Sequence, residues 1–207
     1  LQATQTREIE LLSEISVPLG TLQQGILLKK DGYYSSNHAE IIHFDTQWRV
    51  SRRIIIEIDK MSRLHIGILS KERNGYLVAG IIDLDSYERR ESNTRIVKIN
   101  PIDFHIEQVI NFSEHSKYID AFIIYKNEYW VSYKNFISVY AESDPGVLNR
   151  LRRYKILTGT SQGIRIKGSK LYVIPENNLM RVRGMPNGIY AYTLDALVPY
   201  DESLLNS

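Results

Sequence analysis

The chain has 207 residues, 43% of them hydrophobic and 24% charged, with 26 basic against 24 acidic side chains and a formal charge of +2. That composition is ordinary for a globular protein with a sizeable core, and a balance so near neutrality sets up no field that would draw nucleic acid or an anionic membrane. The absence of cysteine removes disulfides, thiol catalysis and cysteine-ligated metals, and no apolar run reaches the length of a membrane span.

Residues 7–17 come first, Arg7 to Val17 before Pro18, and Ile9, Leu12 and Ile15 fit either a strand or a short helix. The strand is the preferred reading. A unit at about 20–59 follows, with strands at 23–29, 33–36, 40–44 and 50–58, the first two separated by Asp31-Gly32. A second unit, 60–115, repeats the order near 64–70, 75–82, 94–99 and 105–112, with the polar segment Asp83 to Asn93 as extra length. The third, 116–158, gives strands near 119–125, 128–133, 136–140 and 150–156, with Asp144-Pro145-Gly146 between the last two. The fourth, 159–207, supplies 162–167, 170–175 and 188–194 around a long insertion from Pro175 to Asn187, and no fourth strand follows Leu194.

Each unit opens on the same hairpin: a small residue, an apolar strand, a turn, then a second strand with an aromatic centre. The small residues are Gly25, Gly67, Ala121 and Gly163, and the aromatic ones Tyr33-Tyr34, Tyr76, Tyr129-Trp130 and Tyr172. A four-stranded sheet cannot bury both faces alone, so recurrence at roughly forty to fifty residues reads as stacked sheets of one all-β, propeller-like domain spanning 1–207. The missing last strand and the spare strand at 7–17 fit together, because the start of a chain can complete the final blade and remove open edges.

These hairpins, with Arg-Ile-Val-Lys-Ile-Asn-Pro-Ile-Asp-Phe at 95–104, resemble the broad propeller group that includes NHL-like, SMP-30-like and quinoprotein-like domains. The resemblance covers nearly the whole chain and implies a fold, not an activity. It departs from those families in blade number: four units make a closed ring of four, a piece of a longer propeller, or part of a ring completed by a second chain. It also implies that each first strand lines the axis and begins on the face where the second-to-third-strand loops emerge.

Just before the aligned small residues stand Gln24, Asp120 and Gln162, with His65 one place earlier than its counterparts. The expected site is a shallow pocket with Gln24, His65, Asp120 and Gln162 at its floor and Asp83, Asp85, Glu176 and Asn177 on its rim. The opposite face has short turns such as Asp31-Gly32 and Lys126-Asn127. The bland alternative is that these polar groups only satisfy water and nearby backbone. SMP-30-like propellers imply a divalent cation at the axis, held by Glu, Asn and Asp, but Asp120 is the lone carboxylate among the floor positions, a poor match for a hard ion. No cofactor is therefore expected. Asp83 to Glu88 opens like a calcium loop but lacks its glycine and closing glutamate.

No nucleophile elbow, phosphate-binding glycine loop, His-Glu-x-x-His or dinucleotide fingerprint is present in the sequence. His38 and His43 read as surface or turn histidines, the tyrosines as packing between sheets, and Arg150, Arg152, Arg153 and Lys155 as a solvated edge or face. The expectation is a binding module for a protein or a small polar or carbohydrate ligand, without nucleic acid. A metal-dependent hydrolase or lactonase is the alternative. A start at Leu1 and the acceptor pattern Asn111-Phe112-Ser113 are compatible with a secreted or periplasmic protein, without fixing the compartment.

Overall fold

Tight turns cut the chain into short strands, and their backbone chemistry shows why. Lys126 and Asn127 form a two-residue loop with φ of 52° and 64°, the left-handed geometry whose twist matches that of the flanking strands. Gly32 opens a second strand at φ 145°, and a Cβ there would lie 2.1 Å from the carbonyl oxygen of Phe44, so only glycine lets that strand run so close to Phe44 of the third.

The computed structural model describes residues 25–59, 61, 63–71, 74–85, 94–114, 119–156, 161–175 and 188–200. The first sheet comprises β1 (Gly25–Lys29), β2 (Gly32–Asn37), β3 (Glu40–Phe44) and β4 (Val50–Ile55). The second comprises β5 (Leu64–Lys71), β6 (Leu77–Asp83), β7 (Thr94–Ile99) and β8 (Ile106–Phe112), and the third β9 (Ala121–Tyr125), β10 (Glu128–Tyr133), β11 (Phe136–Asp144) and β12 (Val147–Lys155). β13 (Ser161–Lys167), β14 (Lys170–Pro175) and β15 (Tyr190–Thr193) form the fourth. Each sheet is an antiparallel meander in chain order. The strand expected at 7–17 lies outside the described residues.

The sheets are buried against one another in sequence. Every residue of β6 is buried, as a strand covered on both faces must be. Its alternating side chains divide: Leu77, Ala79 and Ile81 pack with Tyr34, Ile41 and Ile54 of the first sheet, while Val78 joins Ile96 and Ile110 against Phe122, Tyr129 and Val131 of the third. The third sheet turns Trp130, Ile137 and Val139 the other way, onto Ile164, Leu171 and Val173 of the fourth. Burying each such side chain is worth about 1.5–3 kcal/mol, so three apolar layers between four sheets hold the stack. The fold is all-β and propeller-like. Innermost strands touch in order, β1 to β5, β5 to β9 and β9 to β13.

The β11–β12 hairpin is longer than the sequence suggests. Both strands run up to Pro145-Gly146, and the tip pairs in parallel with β8, Val147 with Asn111 and Leu148 with Phe112. That bridge joins the second and third sheets into one eight-stranded array. After β15, the segment to Tyr200 returns to the third sheet, where Tyr200 N–H donates to the Arg153 carbonyl at 2.7 Å. The outer face of the fourth sheet, with Arg165, Lys167, Lys170 and Ile174, is exposed.

Candidate binding cleft

The strand directions place the expected axis residues that are described at one end of the stack. His65 lies near the start of β5, Asp120 just before β9, Asp83 at the end of β6 and Asp85 just beyond it. Each has local structural duties. Asp120 Oδ2 accepts the Lys134 N–H at 2.8 Å, fixing the β10–β11 turn, where Lys134 takes φ 52°. Asp83 is buried and its Oδ1 accepts the N–H groups of Arg63 and Asp85, each at 3.3 Å. Asp85 pairs with Arg63 at 3.0 Å. His65 meets His38 of the β2–β3 turn edge to face, with ring centroids 6.0 Å apart. Burial first, and then the neighbouring His38, pull the His65 imidazole below its usual range. Gln162 marks a register shift at the start of β13; its side chain, with Gln24, Glu176 and Asn177, lies outside what the structure describes.

Among the described residues no group of three or more histidine, aspartate or glutamate side chains could hold a metal ion. Asp120, the carboxylate expected at the axis, already serves a backbone donor. The described donors do not fit the divalent cation that the SMP-30-like resemblance implies.

A cleft of about 1170 Å³ opens at the other end, among the short turns. It lies between the second and third sheets, with Lys98 and Asn74 on one side and Ile124, Lys126, Tyr129 and Leu151 on the other. Its charged floor is internally neutralised. Lys98 Nζ meets Glu142 Oε2 at 3.2 Å, and Glu142 Oε1 accepts from the Gln108 amide and the Gly146 N–H, both at 2.8 Å. Burial pushes the Glu142 carboxyl up, but the Gly146, Gln108 and Lys98 donors outweigh it and hold it below the usual carboxylate range. Glu128 is gripped by both Arg152 guanidinium nitrogens, at 2.9 and 2.6 Å, a two-point geometry that a lysine could not supply. Arg152 also lies 5.5 Å from the Trp130 ring centroid.

A β-bulge shapes this wall. Val139 pairs with Arg152 and Tyr140 with Arg150, leaving Leu151 as the extra residue. The extra residue breaks strict alternation, so Arg150 and Arg153 both reach Glu114, at 3.1 and 3.7 Å, while Leu151 stands 53% exposed on the cleft. The three arginines of the basic run are thus ion-paired rather than a solvated edge or face, while Lys155 is exposed as the run's composition suggests. Glu114, just beyond β8, accepts the Tyr140 hydroxyl at 2.6 Å and ties the second sheet to the third.

Solved structures share this architecture at low identity. A protein of unknown function from Bacteroides caccae matches 93% of this chain at 12% identity with a TM-score of 0.59, and this chain spans 64% of that protein's length. The likeness is to a propeller-like fold. The Pan2 WD40 domain of Neurospora crassa matches 86% of this chain at 7% identity and a TM-score of 0.52, over 51% of its own length. A computationally designed protein, Ika4, matches 86% of this chain and 96% of its own at 14% identity and a TM-score of 0.51. No protein-family model and no curated protein matches the sequence.

Proposed function

We propose that the chain is a binding module that receives a segment of another protein in the cleft between its second and third sheets. One observation carries the reading: an open cleft whose half-buried charges are already paired, leaving Ile124 and Leu151 as apolar contacts and Lys126 and Asn127 as polar ones on its rim. Pairing within the protein means that a ligand need not neutralise Glu142 or Glu128, and a rigid scaffold carrying turns at a concavity is where recognition ordinarily resides. The WD40 neighbour supports the scaffold and says nothing of the partner.

A second reading places a small polar or carbohydrate ligand at the axis end, around His65. It is favoured by the meeting of His38 and His65 from adjacent sheets. A displayed library of random twelve-residue peptides, followed by amide shift mapping of the tightest binder, separates the two. Shifts clustering on 124–129, 141–142 and 151 are expected. Shifts clustering on His38, His65 and Lys134 would overturn the cleft assignment.

A further inference from the structure

The turn face has a feature that recurs in the first, third and fourth sheets: lysine stands in or beside the turn between the innermost and second strands. Lys30 lies between β1 and β2, Lys126 between β9 and β10, and Lys167 and Lys170 flank the turn between β13 and β14. All four are exposed. Because the innermost strands neighbour one another in order, these turns follow one another around the same end of the stack, and Lys126 also lines the cleft.

Among the described residues, none of the four has a carboxylate partner. The acids that could neutralise them are engaged elsewhere: Glu128 by Arg152 and Glu142 by Lys98. Asp31, in the first turn, accepts the Tyr34 hydroxyl at 3.1 Å and keeps its negative charge, so it offsets one of the four. Lys126 Nζ instead lies 5.3 Å from the Tyr125 ring centroid. The inner turns at this end therefore carry a local surplus of positive charge, four exposed lysines against Asp31, which steers an anionic partner toward them.

We infer that the partner segment is acidic, with carboxylates meeting Lys30, Lys126, Lys167 and Lys170 and an apolar side chain seated between Ile124 and Leu151. This rests on the cleft reading above. The lining favours a polypeptide over a nucleic acid. Single strands need free aromatic platforms, whereas Tyr33 and Trp48 on this face stack on each other with centroids 3.9 Å apart and Tyr125 is covered by Lys126. The arginine of the cleft wall, whose fork would suit phosphate, is spent on Glu128.

The test uses the whole chain and two fluorescent twelve-residue peptides, each with one central leucine, one rich in glutamate and the other carrying glutamine in place of every glutamate. The glutamate peptide should bind about tenfold more tightly, and its advantage should shrink as salt rises through the range that screens exposed charges. The double variant Lys126→Glu, Lys167→Glu should remove that advantage, so that the glutamate peptide binds no more tightly than the glutamine peptide. Equal affinity for the two peptides, no binding of either at millimolar concentration, or tighter binding of a single-stranded oligonucleotide would each overturn the inference. If the glutamate preference and its lysine dependence hold while amide shifts avoid Ile124 and Leu151, the cleft reading fails and the acidic preference stands.

Discussion

Glu114 offers a sharp test of how the second and third sheets are joined. Its carboxylate accepts the Tyr140 hydroxyl at 2.6 Å and faces two guanidiniums, Arg150 at 3.1 Å and Arg153 at 3.7 Å. The three charged side chains are only 24–31% exposed. Removing one partner of a fully buried pair costs about 3–5 kcal/mol because the remaining charge is left desolvated and unpaired. Partial exposure lets water screen the arginines, so the loss expected for Glu114→Ala is nearer to about 2 kcal/mol. Glu114→Gln keeps an acceptor for Tyr140 and should recover about 1 kcal/mol of it. Burial, then the hydrogen bond and charge of Glu114, drive the Tyr140 phenol well above its ordinary range, so Glu114→Gln should also lower the pH at which Tyr140 ionises. Urea unfolding followed by tryptophan fluorescence measures the first effect, and phenolate absorbance of the variant and its Tyr140→Phe partner the second. A loss below about 0.5 kcal/mol, in the range of an ordinary surface substitution, would refute the claim that this cluster clamps the sheets.

Other expectations follow from single contacts. Gly32→Ala places a Cβ 2.1 Å from a backbone oxygen at positive φ and should destabilise by more than about 2 kcal/mol, checked by thermal unfolding; an unchanged melting temperature would contradict the hairpin geometry. His65 is held below its ordinary 6.5 by burial and then by His38, so the unfolded chain binds the proton first. Stability should therefore rise with pH between its folded pKa and about 6.5, and His65→Gln should flatten that slope in denaturant titrations at pH 5 and pH 7. His105, whose hydrogen bond to Asp103 raises its pKa, contributes with the opposite sign: its stabilisation is present below 6.5 and lost as pH rises through the folded value. Asp120→Ala should loosen the β10–β11 turn, seen as faster amide exchange at Lys134, without releasing a tightly held cation from the purified protein. Loss of a stoichiometric metal would favour the hydrolase alternative.

Strand boundaries were legible because apolar stretches and turn residues alternate so regularly. The first sheet falls within a few residues of its expected limits, since Asp31-Gly32 sets its first hairpin, and its last strand stops at Ile55, short of the expected 58. The β11–β12 hairpin was underestimated for a physical reason. Glu142, Ser143 and Asp144 have no apolar period of their own, and what makes them strand is pairing with the neighbouring chain segment and, at the tip, with β8. The face bearing His65 and Asp120 could be read from strand ends alone. What the sequence could not convey is that Asp120 serves the Lys134 N–H, or that Asp83 and Asp85 serve the Arg63 loop, because those partners are set by folding. The cleft was illegible for the same reason. Its walls come from positions as far apart as Asn74 and Leu151, and an inserted residue in β12, invisible to period-two reasoning, turns Leu151 toward it. The short turn Lys126-Asn127 was visible; its adjacency to Lys98 and Glu142 was not.

The account stands most directly on where a ligand touches the molecule. Calorimetry of one library-selected peptide against the wild type, Leu151→Arg and His65→Ala measures this without an assumed partner. Leu151 is exposed, so the arginine should fold normally and fill the cleft; the expected result is a loss of affinity of about tenfold or more with His65→Ala unchanged. Full affinity in Leu151→Arg together with its loss in His65→Ala would contradict the account and move the site to the opposite face.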